Sequence, residues 1–207
     1  NSTFSRYSRV RSMTGMTGAE AARRLLNAQG IYDVTVQQIA GELTDHYDPR
    51  TKTVNLSQSV YGATSVAAIG VAAHECGHAM QDNEGYAPLR FRSALVPVAN
   101  FGSSLSWPLI LLGLVFGGLG SPLVEIGILM FSLAVLFQLV TLPVEYNASA
   151  RAVRLLDAQG ILAGEEVNGT RKVLNAAALT YVAAAATSIL QLLRLIILFG
   201  GRNRRDN

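Results

Sequence analysis

The sequence predicts a mainly α membrane protein: a helix bearing two histidines, a small antiparallel sheet, a transmembrane helical hairpin and a C-terminal apolar helix. Three observations carry this. Half of the 207 residues are apolar and only 15% are charged. The charge is also unevenly spread, because residues 94–142 contain a single ionisable side chain, Glu125. Finally, two apolar runs, 95–120 and 122–142, are each long enough to cross ~30 Å of hydrocarbon.

Taken in order, residues 17–29 open on Thr17 with Glu20 three residues on, the signature of a capping box, and close at Gly30, which predicts a short amphipathic helix. The β-branched residues of Ile31–Ile39 alternate, and Thr53–Leu56 alternates again after the Asp48-Pro49-Arg50-Thr51 turn, so a small antiparallel sheet is expected. Thr53–Leu56 is expected to leave a free edge on which an extended peptide adds as a further strand. Residues 63–82 are Ala-rich without strand alternation and predict a helix. The two apolar runs, joined by an uncharged Gly/Ser/Pro turn, form an antiparallel hairpin that returns the chain to the side it left. Residues 144–160 turn polar and helical up to Gly160, Glu165–Gly169 is expected as a loop, and Leu174–Phe199 is a third apolar stretch interrupted by Gln191 and Arg194. The organisation expected is therefore 1–93, 94–142 as the hairpin, 143–172, and 173–207 with a basic tail at Arg202, Arg204 and Arg205.

The net charge of +3 sits beside apolar segments, as anchors to anionic headgroups do, and no basic stripe with interleaved aromatics argues for nucleic acid. Cys76 is the sole cysteine, so no internal disulfide forms.

The chemistry lies in His74-Glu75-Cys76-Gly77-His78, a His-Glu-x-x-His pentad. On a helix, side chains four apart share a face one turn from each other, which suits two imidazole ligands of one zinc ion. Glu75 lies beside them, placed to take a proton from an activated water rather than to bind metal. Chance alone yields the pentad in roughly one chain of this length in a few hundred, so context has to raise its weight. It does, since two of the three histidines in the chain are here.

A catalytic zinc needs a third protein ligand, and Glu145 and His46 are the candidates. Glu145 is preferred, because the hairpin brings that end of the chain back beside the pentad helix. His46 keeps a different role, stabilising the oxyanion of a tetrahedral intermediate. Cys76 points about 100° away from its neighbours and is expected to pack behind the metal. Asn147 and Ser149 are candidates to orient the ligands, and Asp45 and Asp48 read as turn formers. Two other readings compete: a zinc-fastened scaffold that has no need of Glu75, and a channel component in which Glu125 and Arg194 are working intramembrane charges.

Met16–Glu20, Leu43–Pro49, Val71–Glu75 with Gly77 and His78, Arg92–Pro97, Leu142–Glu145 and Leu174–Tyr181 together resemble the YugP-like membrane zinc metallopeptidases of bacteria, of the neutral His-Glu-x-x-His type. The resemblance spans nearly the whole chain. It implies a zincin-like pentad helix, zinc as cofactor, His74, His78 and Glu145 as ligands, and a multi-pass protein of the bacterial cell membrane. It further implies an endopeptidase for peptide or membrane-protein substrates, active in quality control or peptide processing, and an N-terminal membrane helix ahead of Asn1. The chain departs from the family at Asn147, where relatives carry aspartate, and at Cys76, where an aliphatic residue is usual.

Overall fold

The structure, a computed structural model, describes residues 2–119 and 121–199. The basic tail expected at Arg202, Arg204 and Arg205 lies outside them. The chain forms two compact units. One takes the residues up to Tyr86 and Val144–Leu179, the other Ala87–Pro143 and the residues from Thr180 on.

In the first unit, α1 (Ser2–Tyr7) leads into α2 (Gly18–Ala28). The expected capping box is present: Thr17 Oγ1 accepts from Glu20 N–H at 3.2 Å, and the Glu20 carboxylate accepts from Thr17 N–H at 2.8 Å. Gly30, at φ +69°, ends the turn where an L side chain would be strained. Losing such a cap costs about 1 kcal/mol. Thr17→Ala is therefore expected to lower the thermal midpoint measurably while Thr17→Ser does not; identical melting of the two would count against the cap as a stabilising contact.

The sheet is mixed rather than antiparallel, in the order β1 (Thr35–Ile39), β3 (Thr53–Ser57), β2 (His46–Asp48). β2, which was not expected as a strand, pairs antiparallel with β3, with His46 opposite Asn55 and Asp48 opposite Thr53. β1 instead runs parallel to β3, with Thr35 opposite Thr53. Residues 40–45 carry the chain across, with left-handed backbone at Gly41 (φ +100°) and Leu43 (φ 55°), and β3 then enters between the two earlier strands. All five β3 residues are buried. The free edge expected along Thr53–Leu56 is thus taken on both sides, and the open edges belong to β1 and β2.

After α3 (Gln58–Tyr61), the pentad helix α4 (Val66–Asn83) begins where Ser65 Oγ accepts from Ala68 N–H. It ends at Gly85 (φ +67°), with Tyr86 N–H donating to Gln81 O. Only Val71, His74, Asp82 and Asn83 of α4 escape full burial. An Ala-rich sequence suits this position, since short side chains let neighbours approach from every side. Leu25 and Leu26 of α2, Val54 and Leu56 of β3, Ile69 of α4, and Leu156, Ile161 and Leu162 form the core around it.

The apolar run from Pro122 and the polar segment after Pro143 make one helix, α6 (Pro122–Ala158). α7 (Glu165–Phe199) begins earlier than expected, because Glu165–Gly169 is its first turn and not a loop. Carboxylates are stabilised at a helix N-terminus, and the Glu166 side chain also accepts from the N–H groups of Ala163 and Met13. Gly169 serves packing: a Cβ there would lie 2.6 Å from Tyr7 Cε1.

In the second unit, α5 (Ala87–Gly117) and the apolar part of α6 form the expected antiparallel hairpin. Gly102 faces Met130, Gly127 faces Ser106 and Ile110, and Gly113 faces Val124. Small residues at these crossings bring the two backbones close, as in helix pairs packed within lipid. By length and composition, α5, α6 and α7 can each cross a membrane.

Candidate metal centre

α4 presents His74 and His78 one turn apart, their ring centroids 4.7 Å apart and nearly perpendicular. The nearby turn of α6 presents Glu145. His74 Nε2 lies 3.1 Å from Glu145 Oε2 and 3.2 Å from His78 Nε2, and His78 Nε2 lies 3.7 Å from Glu145 Oε2. Among the described residues, these three form the one group of His, Cys, Asp and Glu side chains able to share a metal ion.

The donor set and its spacing fit zinc. With bonds of about 2.0–2.1 Å, the ligand atoms of a tetrahedral zinc stand about 3.3–3.4 Å apart. The three observed separations bracket that value, and two imidazoles with one carboxylate leave a fourth position open. The Glu145 side chain is only 4% exposed. A buried carboxylate between two imidazoles is stable only when it meets positive charge, whether a shared proton or a cation.

The close approach of α6 depends on Gly77. A Cβ at this position would lie 2.6 Å from the Ala148 carbonyl oxygen, so only glycine lets α4 and α6 come near enough for Glu145 to reach the histidines.

Each imidazole is also held from behind. Ser149 Oγ lies 3.1 Å from His74 Nδ1, and Gln81 Oε1 lies 3.0 Å from His78 Nδ1. Burial pushes the His78 imidazolium down in pKa, but the Glu145 hydrogen bond, the Glu75 and Glu145 charges and Gln81 outweigh it, leaving the value raised. Ser149 is thus in the place expected for a residue that orients a ligand. Asn147 instead contacts Gln81. Sequence reading passed over Gln81, although a polar residue three positions after His78 on a buried helix face was a usable signal.

Glu75 is buried, and no described residue donates a hydrogen bond to its carboxylate. Cys76 faces the opposite way, wholly buried, its Sγ 3.6 Å from Ala22 O, and burial pushes its thiol pKa up so that it stays protonated. His46 is exposed on β2 and lies outside the cluster of three. Its Nδ1–H donates to Thr44 O at 2.8 Å, and Asn55 Nδ2 donates to its Nε2 at 3.2 Å. Asp48 forms the expected turn by accepting from Arg50 N–H, whereas Asp45 bridges to Ser57 on β3.

A helical chain with three helices able to cross a membrane and a histidine, histidine, glutamate cluster falls in a defined class: residues 1–200 match the family described as "Putative neutral zinc metallopeptidase", and the chain belongs to that family. Among curated proteins, it is 50% identical over 205 residues to "Putative membrane protease YugP" of Bacillus subtilis (strain 168), an overlap covering 99% of this chain and 89% of that protein. No solved structure matches the chain.

Proposed function

We propose that this protein is a membrane-embedded, zinc-dependent endopeptidase in which His74, His78 and Glu145 hold the metal and Glu75 is the general base. The observation that supports it most directly is the spacing of the three donor atoms, 3.1, 3.2 and 3.7 Å, which matches the edges of a zinc tetrahedron. A zinc ion there would polarise a scissile carbonyl and bring the pKa of a water toward ~7. Glu75, next to His74 on the pentad helix and without a competing hydrogen-bond donor, takes the proton of the attacking water and passes it to the departing amine. Hydrolysis then proceeds by direct attack of water, with no acyl-enzyme. In this reading α4 is a zincin-like helix, and the three apolar helices make the protein multi-pass in the bacterial cell membrane. That favours membrane proteins or peptides near the bilayer as substrates, in quality control or processing.

His46 is the candidate oxyanion donor. It can take that role only once its ring turns away from Thr44 and Asn55, which now occupy both nitrogens.

The reading is tested by metal analysis of the purified protein together with casein cleavage. One zinc per chain is expected, with cleavage lost in chelator and restored by zinc. Protein without zinc would remove the metal assignment. Zinc-loaded protein that cleaves neither casein nor a membrane-protein substrate would favour the scaffold reading instead.

A further inference from the structure

Gln81 has no exposed surface and makes hydrogen bonds through both ends of its amide. Its Nε2 lies 2.9 Å from Val144 O and 2.9 Å from Asn147 Oδ1, and its Oε1 lies 3.0 Å from His78 Nδ1. Asn147 Oδ1 is in turn 2.7 Å from Arg151 Nε, and Arg151 Nη1 is 2.7 Å from Glu84 Oε1. The donor and acceptor roles along this chain are forced. A guanidinium only donates, so the Asn147 atom facing Arg151 is the oxygen. That oxygen and the Val144 carbonyl only accept, so the Gln81 atom facing them is the NH2 group. The oxygen of Gln81 is left to face His78, and it binds well only to an Nδ1–H.

From this we propose that Gln81 is a positioning residue for the metal: fixed in direction by Arg151, Asn147 and Val144, it holds His78 as the Nδ1–H tautomer and aims the Nε2 lone pair at the ion. This rests on the metal-site reading above. The polar partner of a ligating histidine commonly sets its tautomer and ring orientation, and losing it weakens metal binding about 10–100-fold. Here the partner is a neutral amide whose flip would put two NH groups against His78 Nδ1 and an oxygen against two acceptors. The direction of the relay originates at an arginine side chain that cannot lose its proton.

Two measurements test it, neither an activity assay. In protein loaded with cadmium-113 as a stand-in for zinc, coupling to His78 Nε2 is expected, and coupling to Nδ1 would overturn the proposal. Zinc affinity from chelator competition is expected to fall about 10–100-fold in Gln81→Met. Asn147→Asp, which keeps both accepting contacts, should stay near wild type, whereas Asn147→Leu should weaken binding. Equal zinc affinity across wild type, Gln81→Met and Asn147→Leu would overturn the relay. If Gln81→Met does not fold, the cadmium spectrum and the Asn147 pair still decide. Failure of the underlying reading looks different: wild type would bind no zinc, or His74→Ala would bind it as tightly.

Discussion

Glu75→Gln is expected to lower peptide cleavage about 10²–10⁴-fold while zinc content and thermal stability stay at the wild-type level. The substitution keeps the size of the side chain and removes only the carboxylate proposed to accept the proton. Glu75 is outside the cluster formed by His74, His78 and Glu145, so the metal should remain. No described residue relies on the Glu75 carboxylate for a hydrogen bond, so the fold loses no contact there. A scaffold role for zinc makes the opposite forecast, with Glu75→Gln silent and His74→Ala destabilising. Elemental analysis and a cleavage assay on the two variants separate these outcomes, and a Glu75→Gln protein as fast as wild type would end the enzymatic reading.

Gly77→Ala is expected to have an effect nearly as large by a different route. On helix propensity alone, alanine would stabilise α4 by about 1 kcal/mol. The new methyl, however, would lie 2.6 Å from Ala148 O, 3.0 Å from its Cα and 3.1 Å from its carbonyl carbon, all backbone atoms that no side-chain rotation can move. Relief needs α6 to retreat by about 1 Å, since ordinary contacts lie near 3.5 Å. Glu145 is three residues before Ala148 on the same helix and would retreat with it. Overpacking of this kind typically costs about 1–3 kcal/mol, so the protein should still fold. A catalytic group misplaced by about 1 Å loses on the order of 10²-fold in rate, and zinc affinity should fall with it. Gly70→Ala is the comparison, because its methyl would meet the Thr170 side chain at 2.8 Å, which is less rigid than backbone, and Gly62→Ala would meet nothing within 4 Å. If Gly77→Ala retains zinc and activity while Gly70→Ala loses them, the account of how Glu145 is brought into place is wrong.

The features legible in the sequence are those written in local spacing. Thr17 and Glu20 sit three apart, His74 and His78 four apart, and the hairpin follows from two apolar runs with an uncharged turn. Glu145 was reachable only because a hairpin returns the chain, a topological argument that gave a neighbourhood but no distances. What escaped depends on partners remote in sequence. That β1 runs parallel and not antiparallel to β3, with His46–Asp48 as a third strand, is decided by where residues 40–45 cross, and neither alternating pattern records that. Gly169 reads as a loop residue until Tyr7 is seen against it. Gln81 looks like an ordinary polar residue near a helix end, and its importance comes from Val144 and Asn147, more than sixty positions away.

The separation of His74 from Glu145 by 71 residues also bears on how the protein is made. A ribosome finishing α4 has already produced both imidazoles and Glu75, yet Glu145 is not synthesised until the entire apolar excursion from Ala87 to Pro143 has been translated. On the reading proposed here, a nascent chain is chemically unarmed until the hairpin of α5 and α6 has been translated. The order of translation thereby delays completion of the proposed site until the chain between its two halves has been made.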